Sequence, residues 1–192
     1  MKLIVAIFLV AAQSISTSNF AQVGKVYTSI EEALLAHPDS VYRLDLSKKK
    51  YRQVPAEIYR FKNLTDLNLS QNKLISLPDD FYFPNLEVLN LEKNDLDTFS
   101  TAICQNTSLK QLYMGKNDVA VVPECIGNLT ELVIFDIWFN PITELPMSLT
   151  QLKKLRHMDL RGVTFSNDFQ KKWTKLLPWV KIEFDLGCDC AN

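Results

Sequence analysis

The sequence predicts an α/β solenoid, in which a curved parallel β-sheet forms the concave face, short helical, 3-10 or irregular segments form the convex face, and helical caps close both ends. Three observations predict this fold: an apolar pattern that returns every 22 to 23 residues, an asparagine that follows it in the middle units, and a Leu-Pro or Val-Pro pair that ends most units. Regularly spaced leucines also occur in helical bundles and coiled coils. Those folds need an apolar period of about 3.5 residues and do not accommodate repeated proline in mid-helix.

A six-residue pattern, apolar at its first, fourth and sixth positions, occurs six times. In the first unit, Leu44 and Leu46 point to one side of a predicted strand while Arg43 and Asp45 point to the other, because side chains alternate along a strand. The apolar side of one unit cannot be buried alone, so neighbouring units are expected to stack around a continuous core. The six units begin at Val41, Leu64, Leu86, Leu109, Leu132 and Leu155.

An asparagine and a proline position complete the pattern. The asparagine amide can bond backbone groups that no β-ladder serves, and the proline prevents the strand from continuing. The complete pattern, L-x-x-L-x-L-x-x-N-x-L-x-x-L-P, resembles that of the leucine-rich repeat family over residues 41 to about 165. The resemblance implies a solenoid that recognises proteins. The asparagines are Asn72, Asn94, Asn117 and Asn140, and the prolines are Pro55, Pro78, Pro123 and Pro146.

Residues 1–21 have the layout of a secretory signal peptide. Lys2 precedes an apolar run of ten residues, 3–12, and small and polar residues follow it. The run is about half as long as a bilayer-spanning helix, so we expect cleavage, after Ala21, and no membrane span in the mature chain. The mature protein is therefore predicted to be secreted, periplasmic or on the cell surface, with its cysteines in an oxidising compartment.

A helix is predicted to cover the N-terminal end of the repeats. Within this cap, residues 22–40, Thr28 and Glu31 have the spacing of a capping box, which opens a helix over residues 29–36. Such a cap is needed because a solenoid end otherwise exposes core residues to water.

The C-terminal cap is predicted over residues 166–185. Ser166 or Asn167 can start a helix that Pro178 ends, and an atypical last strand follows it. The repeats, residues 41–165, thus lie between two caps, and residues 186–192 form a tail.

Composition and motifs argue against nucleic-acid binding and against catalysis. The chain has 21 Lys and Arg against 22 Asp and Glu, so it lacks the positive excess of a nucleic-acid-binding protein. It contains no Gly-rich phosphate loop, no paired CxxC motifs and no nucleophile elbow. We therefore expect no enzymatic activity and no cofactor.

Two chemical alternatives involve the same outward-facing positions. A hydrolase could use His157 with Asp136 or Asp159, but no nucleophile accompanies them, so a solvated histidine is favoured. Asp45, Asp136 and Asp159 share one outward column that could suggest calcium. Other residue types interrupt that column, so no metal site is predicted.

The outward strand positions are the best candidates for function, because the core does not require them. Large apolar and aromatic side chains converge there on the fourth and fifth repeats, with charged groups beside them, which is the composition of a binding hot spot. Trp138 and Phe139 cannot both point inward, although they could pack on each other as structural cover. The predicted partner-binding residues are Tyr113, Lys116, Ile134, Asp136, Trp138, Phe139, His157 and Arg161.

The four cysteines leave several alternatives open. Cys104 and Cys125 lie beside equivalent inward positions of neighbouring repeats, so they form either a disulfide or two half-buried thiols. Cys188 and Cys190 are compatible with intermolecular pairing, metal capture or a modified tail. N-x-Ser/Thr sequons occur at Asn63, Asn68, Asn106 and Asn128.

The sequence as a whole indicates an exported recognition module that binds a protein partner through the concave surface. The alternative is a glycan-binding or adhesive surface protein that uses the same aromatic residues as stacking platforms. The sequence does not predict the identity of the partner or the oligomeric state.

Overall fold

The computed structural model describes residues 24–186 of the chain. The predicted signal peptide and its cleavage site after Ala21, as well as Cys188 and Cys190, lie outside the described residues. Between residues 24 and 186, no helix combines the length and the apolar character needed to cross a membrane.

Eight parallel strands form one open sheet in which every strand pairs with its neighbours in sequence. This confirms the predicted solenoid. Each repeat contributes a strand of only three residues, so the chain advances by one strand spacing, about 4.8 Å, per repeat. The strands are β1 Val26–Tyr27, β2 Arg43–Asp45, β3 Asp66–Asn68, β4 Val88–Asn90, β5 Gln111–Tyr113, β6 Ile134–Asp136, β7 His157–Asp159 and β8 Lys181–Glu183.

The central residue of each repeat strand points into the core. The register pairs these residues directly with one another, and each is 1% exposed or less. Burying an apolar side chain of this size stabilises the fold by about 1.5–3 kcal/mol. Each repeat buries its central side chain only because it stacks on its neighbours. The central residues are Leu44, Leu67, Leu89, Leu112, Phe135 and Met158.

The asparagine that follows each middle strand joins neighbouring repeats through backbone hydrogen bonds. Asn117 Oδ1 accepts a hydrogen bond from the backbone N–H of Leu96 at 3.1 Å. Its Nδ2 donates to the carbonyl oxygens of Leu91 at 3.0 Å and Met114 at 2.9 Å. Asn72 and Asn94 make equivalent bonds in the two preceding repeats, and Asn140 makes them in the following one. The polar groups of the turn are thereby satisfied although they are buried.

Short 3-10 helices form the convex face, and the 22-residue second repeat lacks one in the described structure. Asn106 of the next repeat compensates: its Nδ2 donates to Phe81 O at 3.1 Å and its Oδ1 accepts from Phe83 N at 2.8 Å. Asn106 is only 1% exposed, so the asparagine of this sequon serves to bond the backbone of the neighbouring repeat. The 3-10 helices are Pro38–Ser40, Ala56–Arg60, Thr101–Gln105, Glu124–Asn128 and Met147–Gln151.

The N-terminal cap differs from its prediction in three respects. Helix α1, Ile30–Leu34, is capped by Ser29, whose Oγ accepts a hydrogen bond from Glu32 N at 3.1 Å. Glu32, one residue after the predicted Glu31, accepts from the backbone N–H of Thr28. The helix also ends before Ala36, because the last N–H groups bond three residues back and tighten the final turn. The two-residue strand β1 before it was not predicted.

The C-terminal cap consists of helix α2, Asn167–Leu176, and strand β8. Ser166 caps the helix, since its Oγ accepts from Phe169 N at 3.2 Å. Trp173 and Leu177 are buried against the last repeat, so the helix covers the core at this end.

Cys104 and Cys125 form a disulfide on the convex face, where their Cα atoms are 5.8 Å apart. They lie in the 3-10 helices of consecutive repeats, so the bond ties the third repeat to the fourth.

Candidate functional site

The eight predicted partner-binding residues all lie on one part of the concave surface, which we call the concave site. In the register of the sheet, Tyr113 of β5 faces Asp136 of β6, which faces Asp159 of β7. A second column pairs Ile134 with His157. Lys116, Trp138, Phe139 and Arg161 follow these strands in the turns. The structure thus brings together residues up to 48 positions apart in the sequence.

Trp138, in the fifth repeat, is half-buried and contacts the two preceding repeats. Its indole lies over Gly115, where an added Cβ would overlap the ring and lie 2.9 Å from Cε2. Its Nε1 donates a hydrogen bond to Glu92 Oε1 at 3.1 Å. Sequence reasoning did not include Glu92 in the site. The one available signal was Gly115, because the other repeats carry a side chain at that position.

Phe139 is instead 57% exposed and has a left-handed backbone, with φ of 50°. A positive φ is unusual for a bulky residue, since Cβ crowds the backbone. The equivalent residues of the other repeats share the positive φ: Lys48, Gln71, Lys93, Lys116 and Gly162. Phe139 is thus the one large apolar side chain in a column that is otherwise polar or glycine.

The two aromatic rings are held together with a lysine. The Trp138 and Phe139 rings meet edge to face with centroids 5.4 Å apart. Lys116 Nζ lies 4.8 Å from the Trp138 centroid and 5.6 Å from the Phe139 centroid, within the range of a cation–π interaction. Of the two predicted roles, structural cover describes Trp138 better, while the exposed face of Phe139 is available for contact.

Asp136 is a half-buried carboxylate beside these rings. Burial raises its pKa to about 6, and the neighbouring carboxylates of Asp159 and Glu92 also raise it. The hydrogen bond that its Oδ1 accepts from Trp138 N, at 3.3 Å, and the charge of Arg161 oppose the rise. Among residues 24–186, no Lys, Arg or His forms an ion pair with Asp136.

Asp159, in contrast, is neutralised by Arg161. The carboxylate is only 3% exposed and accepts hydrogen bonds from Arg161 Nε at 3.0 and 3.2 Å. Burial raises the pKa of Asp159. The hydrogen bonds and the charge of Arg161 lower it by more, so the pKa lies below its ordinary value. Arg161 Nη2 also pairs with Glu183 of β8 at 3.3 Å.

Residues of the two chemical alternatives meet near Arg161. Ligating atoms of His157, Asp159 and Glu183 lie within 4.8 Å of one another, but the guanidinium of Arg161 already supplies a cation to both carboxylates. No hydrogen bond within residues 24–186 joins His157 to Asp136 or Asp159.

A shallow hollow of about 310 Å³ lies at the edge of the concave site. Trp138, Phe139, Arg161 and Asp185 line it. It combines an exposed aromatic face with groups of both charges, which suits contact with a polar partner surface.

Comparison with known proteins supports a leucine-rich repeat protein. The sequence profile of the leucine rich repeat family matches residues 62–119. Mouse leucine-rich repeat and calponin homology domain-containing protein 1 is 33% identical over 121 residues, which are 61% of this chain and 17% of that protein. The chain thus spans less than a fifth of the length of this relative.

Solved structures agree on the fold. A leucine-rich repeat protein of Leptospira interrogans aligns with a TM-score of 0.67 at 27% identity, over 85% of this chain and 49% of the other. The plant peptide hormone receptor RGFR1, in complex with RGF2, aligns with a TM-score of 0.56 at 29% identity, over 65% of this chain and 20% of the receptor. The fold is therefore a leucine-rich repeat solenoid.

Proposed function

We propose that this chain is an exported recognition module that binds a protein partner through the concave site. The observation that carries the proposal is Phe139: a large apolar side chain, more than half exposed, at a backbone conformation that favours small or polar residues. Folding does not require phenylalanine there, because the equivalent repeats use Lys, Gln or Gly.

Two further observations support binding and export. The likeness to a peptide hormone receptor solved in complex with RGF2 supports a polypeptide ligand, since the two chains share the solenoid fold. The Cys104–Cys125 disulfide supports an oxidising compartment, in agreement with the predicted signal peptide over residues 1–21.

Phe139→Lys tests the proposal, because it introduces the residue that three other repeats hold at the same position and φ. The immobilised mature chain should retain a protein from native extract, and Phe139→Lys should abolish this retention without lowering the melting temperature. Tyr82→Lys is the matched control, since Tyr82 is 48% exposed but lies on the convex side. Equal retention by both variants would contradict the proposed site.

Glycan binding is the second candidate, favoured by the aromatic ring and charged groups of the hollow beside Arg161. A glycan array probed with the same variants separates the candidates. Binding to sugars that Phe139→Lys abolishes, without any retained protein, would favour an adhesive surface protein.

A further inference from the structure

Among residues 24–186, the carboxylate of Asp136 has no ion-pair partner and accepts no side-chain hydrogen bond, unlike the carboxylates of Asp159 and Glu92. Asp159 is paired with Arg161, and Glu92 accepts the indole hydrogen bond of Trp138. Within the same range, the carboxylate of Asp136 accepts a hydrogen bond only from the backbone N–H of Trp138. The cations of the neighbouring turns are engaged elsewhere: Lys116 lies over the aromatic rings, and Arg161 pairs with Asp159 and Glu183.

The surroundings make the negative charge of Asp136 unfavourable in the unbound protein. The carboxylate is half-buried, and the charges of Asp159 and Glu92 act on it with the same sign. The opposing charge of Arg161, which is paired with Asp159, acts on it more weakly. Burying an unpaired charge costs free energy, so a site that keeps one gains by receiving a cation.

The groups that flank Asp136 suit a cation with an apolar stem. Tyr113 lies beside Asp136 on the neighbouring strand β5, and Ile134 lies two residues before Asp136 on β6. The Tyr113 hydroxyl donates to Gln111 Oε1 at 2.9 Å, which fixes its ring on the concave face. Aromatic faces and a carboxylate together recognise guanidinium and ammonium groups. An arginine can stack on an aromatic ring and donate hydrogen bonds to a carboxylate at the same time.

We infer that Asp136 is the subsite for a basic side chain of the partner, an arginine or a lysine, which lies against Tyr113 and Trp138 and forms an ion pair with the carboxylate. The inference rests on the proposed function, because it assumes a polypeptide on the concave site. It adds the chemical class of the residue that the partner must present.

Selection of random heptapeptides on the mature chain tests this inference. Binders should be enriched in Arg or Lys, and the dissociation constant of a selected peptide should rise at least tenfold with Asp136→Asn. The asparagine retains the oxygen that accepts from Trp138 N, so the fold is preserved, which thermal unfolding checks. Asp45→Asn is the matched control, since Asp45 holds the same column position and accepts the equivalent bond from Ser47 N at 2.9 Å.

A thermodynamic cycle makes the assignment specific. Citrulline in place of the peptide arginine should weaken binding tenfold to the native chain and leave binding to Asp136→Asn unchanged. Binders without basic residues, or an equal loss with Asp45→Asn, would overturn the inference while leaving the proposed function intact. A library that yields no binder to the concave site would overturn both.

Discussion

The indole Nε1 of Trp138 donates a hydrogen bond to Oε1 of Glu92 at 3.1 Å, although the two residues are 46 positions apart. The indole passes over Gly115, which has no side chain to obstruct it. The third, fourth and fifth repeats are thereby joined on the concave surface. Trp138 thus holds the neighbouring Phe139 in a fixed position for contact.

Gly115→Ala tests this packing. The added methyl would overlap the Trp138 ring, and we expect the free energy of unfolding to fall by about 1–3 kcal/mol. Chemical denaturation measures the change, and Gly24→Ala is the control, because nothing lies within 4 Å of a Cβ there. In a Trp138→Ala background the same substitution should cost much less, whereas equal costs in both backgrounds would exclude the overlap as the cause.

Asn117→Ala should lower the free energy of unfolding by about 1–3 kcal/mol, because it leaves the buried N–H of Leu96 without an acceptor. It also removes the bonds to Leu91 O and Met114 O, although these carbonyls keep the donors of Asn94 and Asn140. Urea denaturation measures the loss. Asn85→Ala is the control, because Asn85 is exposed and makes a hydrogen bond of 3.4 Å to Lys62 O. Similar values for the two variants would contradict a stabilising role for the asparagine ladder.

Removing the disulfide should also destabilise the fold. The bond closes a loop with a sequence separation of 21 residues, for which the loss of chain entropy predicts about 3 kcal/mol. The double variant Cys104→Ala, Cys125→Ala should therefore melt at a lower temperature than the native chain, and a reducing agent should lower the melting temperature of the native chain alone. A native chain insensitive to reduction would argue that the bond contributes little.

The raised pKa of Asp136, about 6, predicts a specific pH dependence of stability. Between about pH 4 and pH 6 the folded state keeps a proton that the unfolded state loses, so this residue lowers stability as the pH rises. Asp136→Asn removes the effect and should raise the free energy of unfolding by about 1 kcal/mol at pH 7.5, after allowance for partial exposure. At pH 4 the two proteins should be equally stable. If the difference in stability between the variant and the native chain were the same at pH 4 and pH 7.5, burial of the charge would not be its cause.

The strands and their register were predictable because one pattern repeats six times. Each repeat gives the same assignment of inward and outward residues, so Leu44 and Met158 take equivalent core positions although they lie in different repeats. The position of the concave site followed from the same alternation. Strand β1 was not predictable in this way, because its two residues lie outside the repeat.

The details of the site were less predictable. Alternation indicates the face from which Trp138 leaves the strand, but not that its long side chain reaches back to Glu92. The left-handed backbone at Phe139 depends on the turn, and the printed pattern shows only that Lys, Gln or Gly occupies the position elsewhere. The role of Asn106 was not predictable either, because its hydrogen bonds go to the second repeat, which is one residue shorter and has no 3-10 helix within the described residues.

Hydroxyl-radical footprinting of the chain with and without its captured partner tests the central claim most directly. We predict that Phe139 and Tyr113 become protected from oxidation in the complex, while Tyr82 and Met147, both exposed outside the concave site, react as before. Protection of Tyr82 or Met147, with Phe139 still fully reactive, would contradict recognition through the concave site.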